Sequence, residues 1–198
     1  MSLIRKFELS MNKKQLRSAY SEKRMELDGS IRKSFIEKIM LELSKFDLFQ
    51  KHISVYITIA HKKEIDTQLV ISCIQNQGGI AVVPKANFQT GKLTHYIYEG
   101  TEQLEVNEYG IPEPNYGQVV NTNQIDLVIV PLLIFDRLGH RVGYGKGFYD
   151  QLLEECNPST LKIGLCDFEP VEQITDVHEQ DIALDFCITP KKTYAFNK

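Results

Sequence analysis

Gly143, Gly145 and Gly147 stand at alternate positions in a stretch that also holds Gly139, Arg141, Lys146 and Asp150. Glycine admits positive φ and lets backbone N–H groups approach a ligand with no Cβ in the way. The stretch follows an apolar run at 125–131 and opens into helical periodicity at Phe148. A helix N-terminus beside the turn brings unsatisfied N–H donors and about half a positive charge. Together these seat phosphate oxygens. Arg141 and Lys146 supply full charges against such oxygens, and Asp150, in the first helical turn, is placed to hold a magnesium ion bridging them. A plainer reading stays open: the turn is only a tight connection, and Asp150 complements the helix dipole.

Spacing removes two standard phosphate loops. The pattern GxxxxGK[ST] fails because Gly147 follows Lys146 where a hydroxyl should bind the metal. The pattern GxGxxG fails because Phe148 stands where the third glycine belongs. Charge places a further limit. The 198 residues carry a net charge of -3, so an anionic ligand must be held by local basic groups, and neither nucleic acid nor a membrane is expected as partner.

With 42% hydrophobic and 25% charged residues, the chain suits one domain over residues 1–198 with a sizeable core. Cys73, Cys156, Cys166 and Cys187 form no CxxC pair and are expected as free thiols. The five histidines show no zinc spacing. No apolar run nears the ~18 residues of a membrane span, and the residues from Met1 to Asn12 lack a continuous apolar segment and a small-residue cleavage site. A cytoplasmic monomer or weak dimer is expected.

The elements that must position the turn follow from periodicity. Segment 12–49 is helical in two pieces, broken near Asp28-Gly29-Ser30. Ser30 offers a cap for the second, whose Ile31, Phe35, Ile39, Leu43 and Phe46 recur at steps of four, then three. Residues 53–60 are β-branched and aromatic, as in a strand. A helix is predicted at 65–75, ended by Gly78-Gly79, and then a strand at 80–83 stopped by Pro84. Residues 93–98 alternate like a half-buried strand, and 109–118, rich in proline and glycine, reads as a loop. The 125–131 run is the pattern of a strand covered on both faces. A loop at 143–147, a helix at 148–155 and strands at 161–166 and 186–189 complete the chain. Strands alternating with helices indicate an α/β fold, a three-layer α/β/α arrangement with a largely parallel central sheet.

The segment Val130-Pro131-Leu132-Leu133-Ile134-Phe135-Asp136, then Gly139, Arg141, Gly143 and Gly145-Lys146-Gly147-Phe148-Tyr149-Asp150, resembles the signature of 5-formyltetrahydrofolate cyclo-ligases. Lys13-Lys14-Gln15-Leu16-Arg17 resembles that family's KxxLR opening, and Gly110-Ile111-Pro112-Glu113-Pro114 its GIPEP loop. Glu179-Gln180-Asp181, then Asp185 and Thr189, resemble its closing segment. The similarity covers about residues 12 to 190. Val142 stands where the family commonly has leucine, and Phe168-Glu169-Pro170 lacks a glutamine often found there.

The resemblance implies an ATP-dependent ligase that closes 5-formyltetrahydrofolate to the 5,10-methenyl form. Phosphoryl transfer to the formyl oxygen activates a poor electrophile, and the substrate's own N10 attacks, so the protein need supply only positioning and charge neutralisation. On that basis Lys13, Lys14, Gln15, Leu16 and Arg17, with Arg141, Val142, Gly143, Tyr144, Gly145, Lys146, Gly147, Phe148 and Tyr149, are the expected ATP contacts. Lys146 and Arg141 are the expected catalytic cations. The same resemblance assigns Mg²⁺ to Asp150 and Asp181, and the folate to Ile59, Glu64 and the Tyr144–Phe148 face. A carboxylate such as Glu64 can accept paired hydrogen bonds from a pterin's aminopyrimidine edge. Glu113 would border the same pocket. Plain alternatives remain for each: a solvated basic stripe for Lys13 and Arg17, a loop carboxylate for Asp181, a helix-start carboxylate for Glu64, core for Phe148, and surface for His140. Two rivals also stand. A sugar-phosphate or acyl-transfer enzyme on a similar scaffold would turn over without ATP, and a noncatalytic nucleotide-binding module would bind ATP without turnover.

Overall fold

The computed structural model describes residues 11–196, without the side chains of 29–34. The expectations for residues 1–10, and those for the Ser30 and Ile31 side chains, therefore lie outside the described residues.

Helix α1 (Lys13–Glu26) starts at Asn12, whose side chain accepts from the Gln15 amide at 2.9 Å while Gln15 Oε1 accepts from the Asn12 amide at 3.1 Å. This reciprocal cap satisfies two otherwise orphaned donors. Leu16, Tyr20 and Arg24 form its buried stripe at steps of four. Helix α2 (Gly29–Leu43) buries Phe35, Ile39 and Leu43 in the same rhythm. Helix α3 (Thr67–Asn76) is capped by Asp66, and α4 (Phe148–Glu155) buries Leu152 and Leu153.

The strands are β1 (His52–Val55), β2 (Ile80–Asn87), β3 (Lys92–Ile97), β4 (Leu104–Val106), β5 (Pro112–Pro114), β6 (Val119–Val120), β7 (Leu127–Pro131), β8 (Ile134–Phe135), β9 (Arg141–Val142), β10 (Leu161–Leu165), β11 (Phe186–Ile188) and β12 (Thr193–Ala195). The main sheet runs β12-β11-β10-β7-β1-β2-β3-β6. Its interior pairs, β11 through β2, are parallel, and both margins are antiparallel. Successive residues of β7 alternate between two cores. Leu127 and Ile129 join the one that includes Phe35, Ile39, Val70 and Ile74 from α2 and α3; Val128 and Val130 join the one with Leu16, Leu152 and Leu153 from α1 and α4. Period-two side chains on a doubly covered strand require that division. The expected three-layer α/β fold is what the chain forms.

Local differences have local causes. The strand predicted over 53–60 ends at Val55, because the backbone beyond it is tied by side chains: Thr67 Oγ1 accepts from the Thr58 amide at 3.1 Å, and Glu64 Oε2 from the Ile59 amide at 2.6 Å. Pro84 does not stop β2. The β1 ladder ends at Val82, so the missing proline N–H falls where β1 offers no acceptor. The 109–118 loop contains β5, whose Glu113 side chain accepts from the Ala86 amide at 2.8 Å and so docks β5 on β2. The β12 edge strand has no counterpart in the periodicity reading.

One buried pair tests the sheet. His95 on β3 is 1% exposed, its Nε2 lies 2.9 Å from Ser54 Oγ on β1, and its Nδ1 has no partner among the described residues. Burial pushes its pKa down from 6.5 to about 4. The unfolded chain then binds the proton that the folded chain refuses, so stability is full above about pH 6.5 and falls as pH drops toward 4. Between pH 7 and pH 5 the loss from this residue should be on the order of 2 kcal/mol. Urea unfolding of wild type and His95→Gln at both pH values checks it: the variant should lose that part of the acid sensitivity.

Candidate active site

A cavity of about 820 Å³ opens at the carboxyl ends of the parallel strands, where Tyr56 and Ile57 follow β1, Pro131 ends β7, and Pro84 and Ala86 lie on β2. Ligands of open α/β sheets bind at that end. The glycine turn, the start of α4, and Lys13 and Arg17 of α1 form one side of it.

The turn is built for close approach. Gly145 has φ +83° and Gly147 φ +76°, a region L-residues avoid. A Cβ on Gly145 would meet the Arg17 guanidinium at 3.0 Å, whereas one on Gly147 would enter open space. Gly147 is the N-cap of α4 and makes no side-chain cap bond. The first amides of α4 are therefore not satisfied by a capping side chain, and Gly147, Phe148, Tyr149 and Asp150 all line the cavity.

Cations surround this terminus. Arg17 Nε donates to Gly143 O at 2.8 Å. Arg141 donates to Ile182 O and pairs with Asp150 Oδ1 at 2.5 Å. Burial lowers the Arg141 pKa, with Asp150 acting against that fall. Lys13 pairs with Asp181, and its backbone amide donates to Asp176 Oδ1 at 2.7 Å. Burial opposes the Asp181 charge, but the Lys13 hydrogen bond and the His178 amide outweigh it and hold the carboxyl below its usual range. Lys146 is exposed and makes no ion pair among the described residues. Among the described residues no three His, Cys, Asp or Glu side chains cluster as a metal cage. Asp150 and Asp181 instead line one cavity as two hard oxygen donors, a set that fits magnesium, which takes few protein ligands beside phosphates and waters.

The opposite side is apolar and aromatic. Ile59, Tyr56, Phe88 and Tyr109 line it, with the Phe88 ring tilted 36° to that of Tyr109 at 4.2 Å between centroids and edge-on at 5.2 Å to Phe148 at the start of α4. Glu64, 7% exposed, faces the cavity and accepts from the Tyr144 hydroxyl and the Ile59 amide. Burial first, then the Glu64 charge, pushes the Tyr144 and Tyr149 phenols up, so both stay protonated. The Lys62 ammonium sits 4.3 Å above the Tyr144 ring.

The structure thus brings Lys13, Arg17, Ile59, Glu64, Arg141, the residues from Gly143 through Asp150, and Asp181 to one cavity. It does not bring Lys14, Gln15, Leu16 or Val142 there: Lys14 is exposed, Gln15 closes the α1 cap, and Leu16 and Val142 are buried core. Membership of a helix turn or a hairpin does not put every side chain on the same face. Glu113 lines the cavity but also ties Ala86 and Asn107 at 2.8 Å each. Tyr56, Lys62, Phe88 and Tyr109 escaped the sequence reading. Phe88 and Tyr109 are brought together by the β2–β3 and β4–β5 turns, Tyr56 and Lys62 by the connection after β1, and no local spacing marks either.

Comparison with known proteins gives a consistent answer. A sequence model of the 5-formyltetrahydrofolate cyclo-ligase family matches residues 9–190. A probable 5-formyltetrahydrofolate cyclo-ligase of Schizosaccharomyces pombe is 29% identical, over 93% of this chain and 98% of its own. The Escherichia coli 5-formyltetrahydrofolate cyclo-ligase is 32% identical over 71% of this chain and 80% of its own. Among solved structures, Aquifex aeolicus 5,10-methenyltetrahydrofolate synthetase superposes with a TM-score of 0.78 at 28% identity, covering 95% of this chain and 94% of the other.

The turn geometry predicts one stability effect. Gly145→Ala should cost about 1–2 kcal/mol through its left-handed φ and displace Arg17 from Gly143 O. Chemical denaturation measures the first, and loss of the Arg17–Gly143 contact in a crystal structure of the variant the second.

Proposed function

The chain belongs to the 5-formyltetrahydrofolate cyclo-ligase family, and on that premise we infer that it uses ATP and Mg²⁺ to close 5-formyltetrahydrofolate to 5,10-methenyltetrahydrofolate in the cavity at the α4 N-terminus. The uncapped start of α4 beside Arg17, Arg141 and Lys146 carries the reading. Backbone amides and fixed cations around one point are what a triphosphate requires.

Each residue then has a task. The 143–147 turn and Arg17 hold the phosphates, with Lys13 beside them. Lys146, exposed and without a counter-ion among the described residues, neutralises charge on the γ-phosphoryl group as it passes to the formyl oxygen. Arg141, which pairs with Asp150 and lines the cavity, would exchange that partner for phosphate oxygens. Asp150 and Asp181 would hold magnesium, which when bound offsets phosphate charge and orients the oxygens. Glu64 accepts from the pterin edge, while Ile59, Tyr144 and Phe148 pack on the ring. Ring closure needs no protein nucleophile, because N10 of the substrate attacks the activated carbon and inorganic phosphate leaves with the formyl oxygen. The aromatic wall shields the phosphorylated species from water.

Purified protein mixed with 5-formyltetrahydrofolate and MgATP should produce the methenyl compound, followed by its absorbance; a well-folded preparation that makes none with ATP present refutes the reading. In the same assay Lys146→Ala should lower kcat by about 10²–10³-fold, with the KM for folate little moved. Asp150→Asn should raise the Mg²⁺ concentration for half-maximal rate by about tenfold or more. A magnesium titration matching wild type would remove Asp150 from the metal site.

A further inference from the structure

Arg24 sits on the buried stripe of α1 and is 3% exposed. A guanidinium at that depth must have its charge compensated. Its Nε lies 2.8 Å from Asp167 Oδ2 as an ion pair outside hydrogen-bond geometry, its Nη2 donates to Leu132 O at 2.7 Å, and its Nη1 donates to the Tyr144 hydroxyl at 3.3 Å. Tyr144 donates in turn to Glu64 Oε1, and Glu64 Oε2 accepts from the Ile59 amide. A chain of contacts thus runs from the core at Asp167 to the cavity wall at Glu64.

The directions in this chain are fixed. A guanidinium has only donors, so the Tyr144 oxygen must accept from Arg24. The single phenolic proton is then left for Glu64, and burial keeps it on the oxygen. Each Glu64 oxygen receives one protein hydrogen bond and keeps lone-pair capacity for a second.

We propose that Arg24, anchored by Asp167, is a positioning residue for folate recognition: it commits the Tyr144 proton to Glu64 and so presents the carboxylate in one orientation to the pterin edge. The proposal rests on the reading of Glu64 as the pterin acceptor. Without the Arg24 donor, the phenol is free to turn its proton elsewhere, and Glu64 keeps only the Ile59 tether. The effect belongs to folate, not ATP, because Arg24 acts on the Tyr144 hydroxyl and through it on Glu64, whereas the turn offers phosphate its backbone amides.

A double-mutant cycle on steady-state constants separates this role from a merely structural one. Arg24→Lys and Tyr144→Phe should each raise the KM for 5-formyltetrahydrofolate roughly tenfold, the scale of one buried charge-assisted hydrogen bond, with the KM for ATP unchanged. The double variant should be no worse than Tyr144→Phe alone, since the relay is already cut. If Arg24→Lys acts by the same factor in both backgrounds, or leaves the KM for folate untouched, the proposal fails. Glu64→Gln is the separate control: an unchanged KM for folate brings down the pterin assignment itself, whereas a raised one with an independent Arg24 effect brings down only the relay. Should Arg24→Lys not fold, Asp167→Asn, which conserves volume and weakens the anchor, enters the same cycle, and an additive result there overturns the proposal equally.

Discussion

Two arginine side chains donate to backbone carbonyls around the glycine turn, Arg17 to Gly143 O and Arg141 to Ile182 O. The remaining geometry of the site depends on these bonds. Each ends a long, flexible side chain on a rigid point of the main chain, so the guanidinium stays beside the α4 N-terminus. Each also joins elements distant in sequence: α1 to the turn, and β9 to the segment bearing Asp181. A lysine could supply the charge but not the fork that grips a carbonyl and still presents further N–H groups. The turn must be glycine for the complementary reason, since a Cβ on Gly145 would press on the Arg17 guanidinium.

The sheet sets where this happens. β7 is buried from Leu127 to Val130 and touches the cavity at Pro131, before the chain re-enters the core at Leu132. β1 behaves alike, passing from Val55 in the core to Tyr56 and Ile57 at the cavity. Parallel strands end together, and the loops that follow them share one rim.

Much of this was legible in the residues. The α2 periodicity, the apolar 125–131 run and the alternate glycines are local patterns with physical causes, and each formed near its expected place. The site residues marked by a chemical type at a fixed spacing, Lys13 with Arg17, and Arg141 with Gly143 through Asp150, did converge on one cavity. Legibility failed where a long-range contact overrides a local preference. Residues 53–60 have strand composition, yet Glu64 and Thr67 capture the backbone after Val55. Leu16 and Val142 lie in the motifs but face the core. The aromatic wall joins the β2–β3 turn to the β4–β5 turn, and no spacing within either announces the other. Arg24 reads as an ordinary helix arginine until its burial is known.

The pairs Lys13–Asp181 and Arg141–Asp150 have a last consequence. A cleft lined with bare cations repels itself and attracts any passing anion. Here those two cations already carry internal counter-ions, so on the proposed reading an arriving polyanion would swap partners and not neutralise a naked field: its oxygens would compete for the lysine and arginine, and the two freed carboxylates would be available to hold a divalent ion. The tally of opposite-charge contacts would be nearly the same before and after. Affinity governed by such an exchange should respond less to ionic strength than a simple basic patch does, and it discriminates against monovalent anions, which bring no second ion for the carboxylates to hold.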